Sequence, residues 1–189
     1  VLTTPISEAA IVGMSVGLAL RGRRPIAEIM FGDFVALAAD QLINHAAKYA
    51  AMYNGEVSVP LVVRAPMGGG RGYGPTHSQS LERLFLGIPH LRVLAASHVH
   101  DAGALLQAAI ADDDPVLFVE NKLLYPQPLL LAAQTPLAGA GTLHRSATPD
   151  RDGYPVVTLR NYAGAEPPDV TVITYGGMSR LVVPVLEHM

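Results

Sequence analysis

Short apolar runs of strand length alternate with helix-length segments over the first two-thirds of this chain, and that alternation restricts the fold more than any other feature. Strands are expected over 25–31, 59–64, 92–96 and 115–120. Helices are expected over 7–20 with Ser7 near the N-cap, over 34–53 with Leu37, Leu42, Ile43, Ala46 and Ala47 on one side, near 81–86, and over 102–111. Strands separated by helices cannot pair as tight hairpins. They require crossovers, and so a mostly parallel sheet with helices on both faces, an α/β fold. Ligands of such sheets bind beyond the carboxyl ends of the strands. The turn at Met30–Phe34 and the loop from Arg64 to His77 lie at such ends, whereas Glu8 precedes a helix and would approach a ligand from another side or from a neighbouring subunit.

The pattern ends near residue 125. Residues 126–169 are rich in Pro, Gly, Ala and Thr and read as a linker with one strand at 155–159; residues 170–178 read as a strand and turn, after which Ser179 caps a helix from Arg180. The expected organisation is one domain over 1–125, the linker, and the truncated start of a C-terminal α/β domain over 170–189. The chain opens on valine and stops at Met189 in an apolar, helix-like stretch, so a longer polypeptide is expected. At 50% hydrophobic and 15% charged residues, its surface is either partly buried in a subunit interface or small because both sheet faces are covered. A net charge of −3 gives no electrostatic case for nucleic acid or an anionic membrane. The apolar run over 9–20 is too short to cross a bilayer and follows no basic segment. With no cysteine, disulfides and thiolate chemistry are excluded, and a cytoplasmic location is expected.

Several chemistries lack their motifs. The glycine-rich loop Gly68-Gly69-Gly70-Arg71-Gly72-Tyr73-Gly74 has no Gly-Lys-Ser/Thr ending and no dinucleotide spacing, Gly-x-Ser-x-Gly is absent, and His98 and His100 are too few for a zinc site. Each remaining candidate has a plain alternative. Glu8 at the mouth of an apolar helix either favours the positive helix end or serves a site. His77 is either a backbone-bonding loop residue or a proton-transfer group, Phe34 either a core aromatic or a stacking platform, and Asp112-Asp113-Asp114 a helix end and turn.

Read in order, Thr4-Pro5-Ile6-Ser7-Glu8, Arg24-Pro25-Ile26-Ala27-Glu28, Asp33-Phe34, Asp40-Gln41-Leu42-Ile43-Asn44, Thr76-His77-Ser78-Gln79, Asp114-Pro115-Val116 and Glu120-Asn121-Lys122 resemble the pyrimidine-binding domain of thiamine-diphosphate enzymes. More closely, the chain resembles the β-subunit of the 2-oxo acid dehydrogenase decarboxylase component, of pyruvate, branched-chain or acetoin type. The resemblance covers about residues 3–125, and Thr174-Tyr175-Gly176-Gly177 matches the start of the family's C-terminal domain.

The resemblance implies roles. Glu8 falls where the family glutamate bonds N1′ of the cofactor's aminopyrimidine, Phe34 where an aromatic stacks on that ring, and Met30 beside it. His77 falls where a histidine lines the substrate channel. In some members potassium is held by backbone oxygens at positions matching Leu61, Ala109 and Asp112, with Asp114 here in place of the usual asparagine. No Gly-Asp-Gly with a downstream asparagine is present, and in the family another chain holds magnesium and diphosphate. The implied assembly is an α₂β₂ heterotetramer that decarboxylates a small-molecule 2-oxo acid and passes the acyl group to a lipoyl-bearing acyltransferase. Two other readings stay open: the pyrimidine half of a transketolase-like carboligase, and a non-catalytic structural or regulatory subunit. Arg71-Gly72-Tyr73 and the long Pro- and Ala-rich linker depart from the family pattern and leave the substrate unassigned.

Overall fold

Two strands are apolar on both faces and therefore need covering from both sides. They are β2 (Val62–Met67) and β4 (Val116–Asn121), and they pair parallel at the centre of a four-stranded sheet, with β1 (Ile26–Glu28) beside β2 and β3 (Arg92–Ala95) beside β4. This is seen in the computed structural model, which describes residues 1–137 and 141–187. All pairings are parallel, in the order β1-β2-β4-β3. The expected strand at 59–64 slides forward to include Pro66. Even-numbered residues of β2 turn their backbone polar groups toward β1, and β1 ends opposite Arg64, so the missing N–H of Pro66 faces no strand.

One face of the sheet carries α1 (Glu8–Leu20) and the helical stretch that follows β1. Val12, Val16 and Ala19 of α1 pack over Val63, Ala65, Leu117 and Val119. The helix expected over 34–53 has the right extent but three pitches: a 3-10 helix Gly32–Ala38, a π-helical stretch Gln41–Ala46, and α2 (Ala47–Met52). Val35, Ala38, Leu42, Ala46 and Ala47 are its buried residues, so the stretch keeps one apolar face on the sheet through the changes of pitch. The other face carries α3 (Ala102–Ala111), whose Leu105 and Ala109 pack on Val62, Val116 and Phe118. The side chain of Asp101 caps α3 by accepting from the Ala104 N–H.

Two expectations change beyond the sheet. The linker contains three strands rather than one: β5 (Gln134–Pro136), β6 (Thr142–Pro149) and β7 (Pro155–Arg160) form an antiparallel meander. The expected strand at 155–159 is β7; most side chains of β5 and β6 are exposed or only partly buried, so no alternation of apolar and polar residues announced those two. Buried Tyr154, at the β6–β7 turn, joins the cluster under α3 and donates its hydroxyl to the Asp112 carboxylate at 2.7 Å. Arg92 ion-pairs with both Asp112 (2.6 Å) and Asp152 (3.0 Å), fastening the meander to the sheet. The strand expected over 170–178 is not formed, because no described strand lies beside it; a 3-10 turn Gly176–Met178 leads into α4 (Ser179–Val182), so Ser179 begins the helix. Positions 188–189 of the expected C-terminal unit, and 138–140 of the linker, lie outside the described residues.

Candidate active site

The carboxyl ends of β1, β2 and β4 converge on a cluster of rings. Beyond β1 the chain turns at Gly32, which is pressed against the end of β2: a Cβ there would overlap Met67 Cγ and come within 3.1 Å of the Pro66 carbonyl oxygen. That turn presents Phe31 and Phe34 on either side of Asp33. From the other side comes the glycine-rich loop, whose Gly68 and Gly70 adopt φ of 90° and 78°, a region side-chain-bearing residues avoid. The loop delivers His77, whose imidazole stacks on Phe31 (centroids 4.2 Å apart, rings 19° from parallel) and meets Phe34 edge-on at 5.3 Å. Tyr73 closes the cluster 5.6 Å from Phe31.

Polar bonds hold the two segments in place. Asp33, 8% exposed, accepts from the Gln79 side-chain amide at 2.9 Å, tying the Gly32 turn to the segment just after His77. Gly68 N–H donates to the Gln79 carbonyl at 3.0 Å, and Arg71 donates to the carbonyls of Gly68 (3.1 Å) and His77 (2.8 Å). Within this fixed frame, His77 Nδ1 and Asp33 Oδ2 are buried without a hydrogen-bond partner. Buried polar atoms are nearly always paired, so two orphans beside an aromatic cluster fit a polar, ring-bearing ligand.

Met30 is 57% exposed at the mouth of an adjoining cavity of about 420 Å³. Its floor is a charge network the sequence did not announce. Arg64 donates to both oxygens of buried Glu120 (2.7 and 3.1 Å), Tyr125 donates its hydroxyl to the same carboxylate, and Glu28 lies 3.7 Å from Arg64. Burial, and the hydrogen bond it donates to Glu120, push the Tyr125 phenol well above its ordinary range. A second cavity of about 570 Å³ separates the glycine-rich loop from the C-terminal segment, where Tyr175 donates to buried Glu82 at 3.0 Å.

Phe34 and His77 are thus in ring contact, and Met30 lies next to Phe31 at the same edge. Glu8 is half-buried in the first turn of α1. α1 packs on the 3-10 helix that follows β1, and its C-terminal end leads through a turn into the start of β1. Phe31, Asp33 and Gln79 were missed as site residues; the only local hint was an aromatic beside Gly32 at a strand end.

The four positions proposed for potassium lie at the opposite, amino-end edge. There the Leu61 carbonyl accepts from Val116 N–H at 2.8 Å, and the Asp112 carbonyl accepts from Arg24 at 2.7 Å. The Asp114 carboxylate accepts from Arg92 at 3.2 Å, and Ala109 is buried on the face of α3 that packs on the sheet. A guanidinium is therefore the cation that the Asp112 carbonyl and the Asp114 carboxylate meet. Among the described residues no group of three or more His, Asp or Glu side chains is arranged to hold a metal ion. No described helix is long and apolar enough to cross a membrane.

Residues 1–128 match the model of the transketolase pyrimidine-binding domain family. The 2-oxoisovalerate dehydrogenase subunit beta of Bacillus subtilis is 40% identical over 176 residues, 93% of this chain and 49% of the relative. The same-named subunit of Pseudomonas aeruginosa is 42% identical over 179 residues, 94% and 51% of the two chains. A mitochondrial pyruvate dehydrogenase E1 component subunit beta-2 of Oryza sativa is 45% identical over 134 residues, 71% and 36% respectively. The chain spans about half the length of the first two relatives.

Proposed function

The chain belongs to the transketolase pyrimidine-binding domain family, and from that premise we propose that it is the pyrimidine-binding part of the β-subunit of a thiamine-diphosphate-dependent 2-oxo acid dehydrogenase. One observation carries the proposal: an imidazole held between Phe31 and Phe34 at the carboxyl edge of a parallel sheet, with an orphaned buried nitrogen.

Bound thiamine diphosphate supplies the nucleophilic carbon and the electron sink for decarboxylation of a 2-oxo acid. The aromatic edge suits its pyrimidine, with Phe34 as the stacking face and Met30 as an apolar neighbour. Glu8 would accept a hydrogen bond from a protonated ring nitrogen, its carboxylate form favoured by the helix end it occupies. His77 exchanges a proton with the reacting substrate; stacked between rings, its imidazole is kept in one orientation, as general acid–base transfer requires. Magnesium and the diphosphate belong to an α-type partner, in an α₂β₂ assembly that hands the acyl group to a lipoyl-bearing acyltransferase. The absence of cysteine supports a cytoplasm-like compartment. Potassium is not part of this proposal, since the Asp112 carbonyl and the Asp114 carboxylate already accept from arginines.

The test is decarboxylation of a 2-oxo acid panel by the full-length chain co-expressed with its genomic α-type neighbour, with thiamine diphosphate and magnesium, with and without lipoamide. Activity that needs both chains and loads lipoamide is the expected result. Decarboxylation without acyl transfer to lipoamide would favour a carboligase, and an assembled complex silent on every acid would remove the proposal.

A further inference from the structure

The loop that carries His77 also carries a cation that no anion offsets. Arg71 donates from Nε to the Gly68 carbonyl at 3.1 Å and from Nη2 to the His77 carbonyl at 2.8 Å, and Nη1 is buried with no hydrogen-bond partner. Among the described residues no carboxylate lies within 4.0 Å of it. Arg24, Arg64 and Arg92, by contrast, each meet carboxylates. What covers Arg71 is the face of Tyr73, with the ring centroid 5.3 Å from Cζ and the side chain about half exposed.

A ring face holds a cation less strongly than a charge-assisted hydrogen bond does, so an oxyanion bonded to Nη1 would be favoured over the ring contact alone. The two carbonyl bonds already fix the guanidinium, so little side-chain freedom remains to be lost on binding. The fork hangs from the backbone of His77 itself, at the edge where substrate would meet the imidazole.

We propose that Arg71 selects the substrate by binding a carboxylate remote from the reacting carbonyl, so that the substrate class is a dicarboxylic 2-oxo acid. This rests on the decarboxylase assignment above. The remote carboxylate is the one specified because holding the carboxylate that departs as carbon dioxide would stabilise the ground state and oppose the reaction.

The test uses the assembled complex of the full-length chain and its α-type partner. Calorimetric titration with glutarate and with butyrate, neither of which has a 2-oxo group, reads binding without turnover. Glutarate is expected to bind the wild type about tenfold or more tightly than butyrate, Arg71→Gln to erase that preference, and Arg71→Lys to restore part of it. Equal binding of the two acids by the wild type, or a preference that survives Arg71→Gln, would overturn the proposal. So would inorganic phosphate that displaces glutarate at equal concentration, the mark of a general oxyanion site. In parallel, kcat/KM for 2-oxoglutarate and 2-oxobutyrate separates selection from loop fastening. Selection lowers the first against the second in Arg71→Gln, and an equal loss on both overturns the proposal. Selective glutarate binding in a wild type that decarboxylates neither acid would support the anion site while removing the decarboxylase assignment.

Discussion

Glu120 sits at 9% exposure with three donors around one carboxylate, two from Arg64 and one from Tyr125. Removing it strands a guanidinium and a phenol that chose their positions for its sake. Glu120→Ala in the full-length chain should lower unfolding stability by about 2 kcal/mol, with Tyr125→Phe losing about 1 kcal/mol, as read from urea midpoints at constant slope. Glu8 is expected to behave in the opposite way. It is half-buried at a helix end, so Glu8→Ala should leave the urea midpoint nearly unchanged while turnover of the assembled complex falls about 10²-fold or more. Unchanged turnover in that variant would remove Glu8 from the chemistry. The two carboxylates illustrate what a sequence conceals: both stand beside apolar runs, and only the contact partners separate a structural anion from a chemical one.

At the level of elements, the turn leaving β1 is the tightest joint near the site. Gly32 lies against β2 with no room for a side chain, and the next two residues supply Asp33 to Gln79 and Phe34 to His77. Gly32→Ala would therefore force the turn off the sheet. Overpacking of this kind costs about 1–3 kcal/mol, so a lower thermal midpoint is expected together with a loss of activity. A variant with wild-type stability and activity would mean that Met67 moves aside freely and that the turn does not position the rings. The helical pitch changes twice between Gly32 and Met52. The sequence carries enough apolar residues for a helix there, and the buried ones, Val35, Ala38, Leu42, Ala46 and Ala47, stay on the sheet side through both changes of pitch.

Across the whole molecule, His98 and His100 join the sheet to the segments that follow it. His98 Nδ1 lies 3.0 Å from Ser179 Oγ, and His100 Nδ1 lies 2.7 Å from Ser97 Oγ, beside the meander. Burial lowers both pKa values below the ordinary 6.5; Arg145 lowers that of His100 further, against a bond to the Pro155 backbone. The unfolded chain then takes up protons first as pH falls. The stability these two sites contribute is full above about 6.5 and is lost as pH drops through their folded values. Urea midpoints at pH 7.5 and 5.5 should show that fall, and His98→Gln with His100→Gln should flatten it. A slope unchanged in the double variant would assign the pH dependence to other groups.

Much of the architecture could be read before any coordinates. Strand-length and helix-length apolar runs recur locally, and crossover geometry leaves few arrangements for them, so a parallel α/β sheet with helices on both faces follows. The ordered motifs brought Glu8, Phe34 and His77 forward as one set, with Met30 beside them, although local pattern alone left those three each with a structural alternative. Folding decided the rest. Of the meander only the strand at 155–159 could be read, because β5 and β6 are mostly exposed or partly buried and leave no periodic trace, and residues 170–175 pair with no described strand whatever their propensity. The Asp33–Gln79 bond and the Arg64–Glu120 pair span 46 and 56 residues, distances over which no local pattern specifies a partner. Local periodicity determined which elements form. Which side chains meet at the edge of the sheet was decided by contacts between residues remote in the chain.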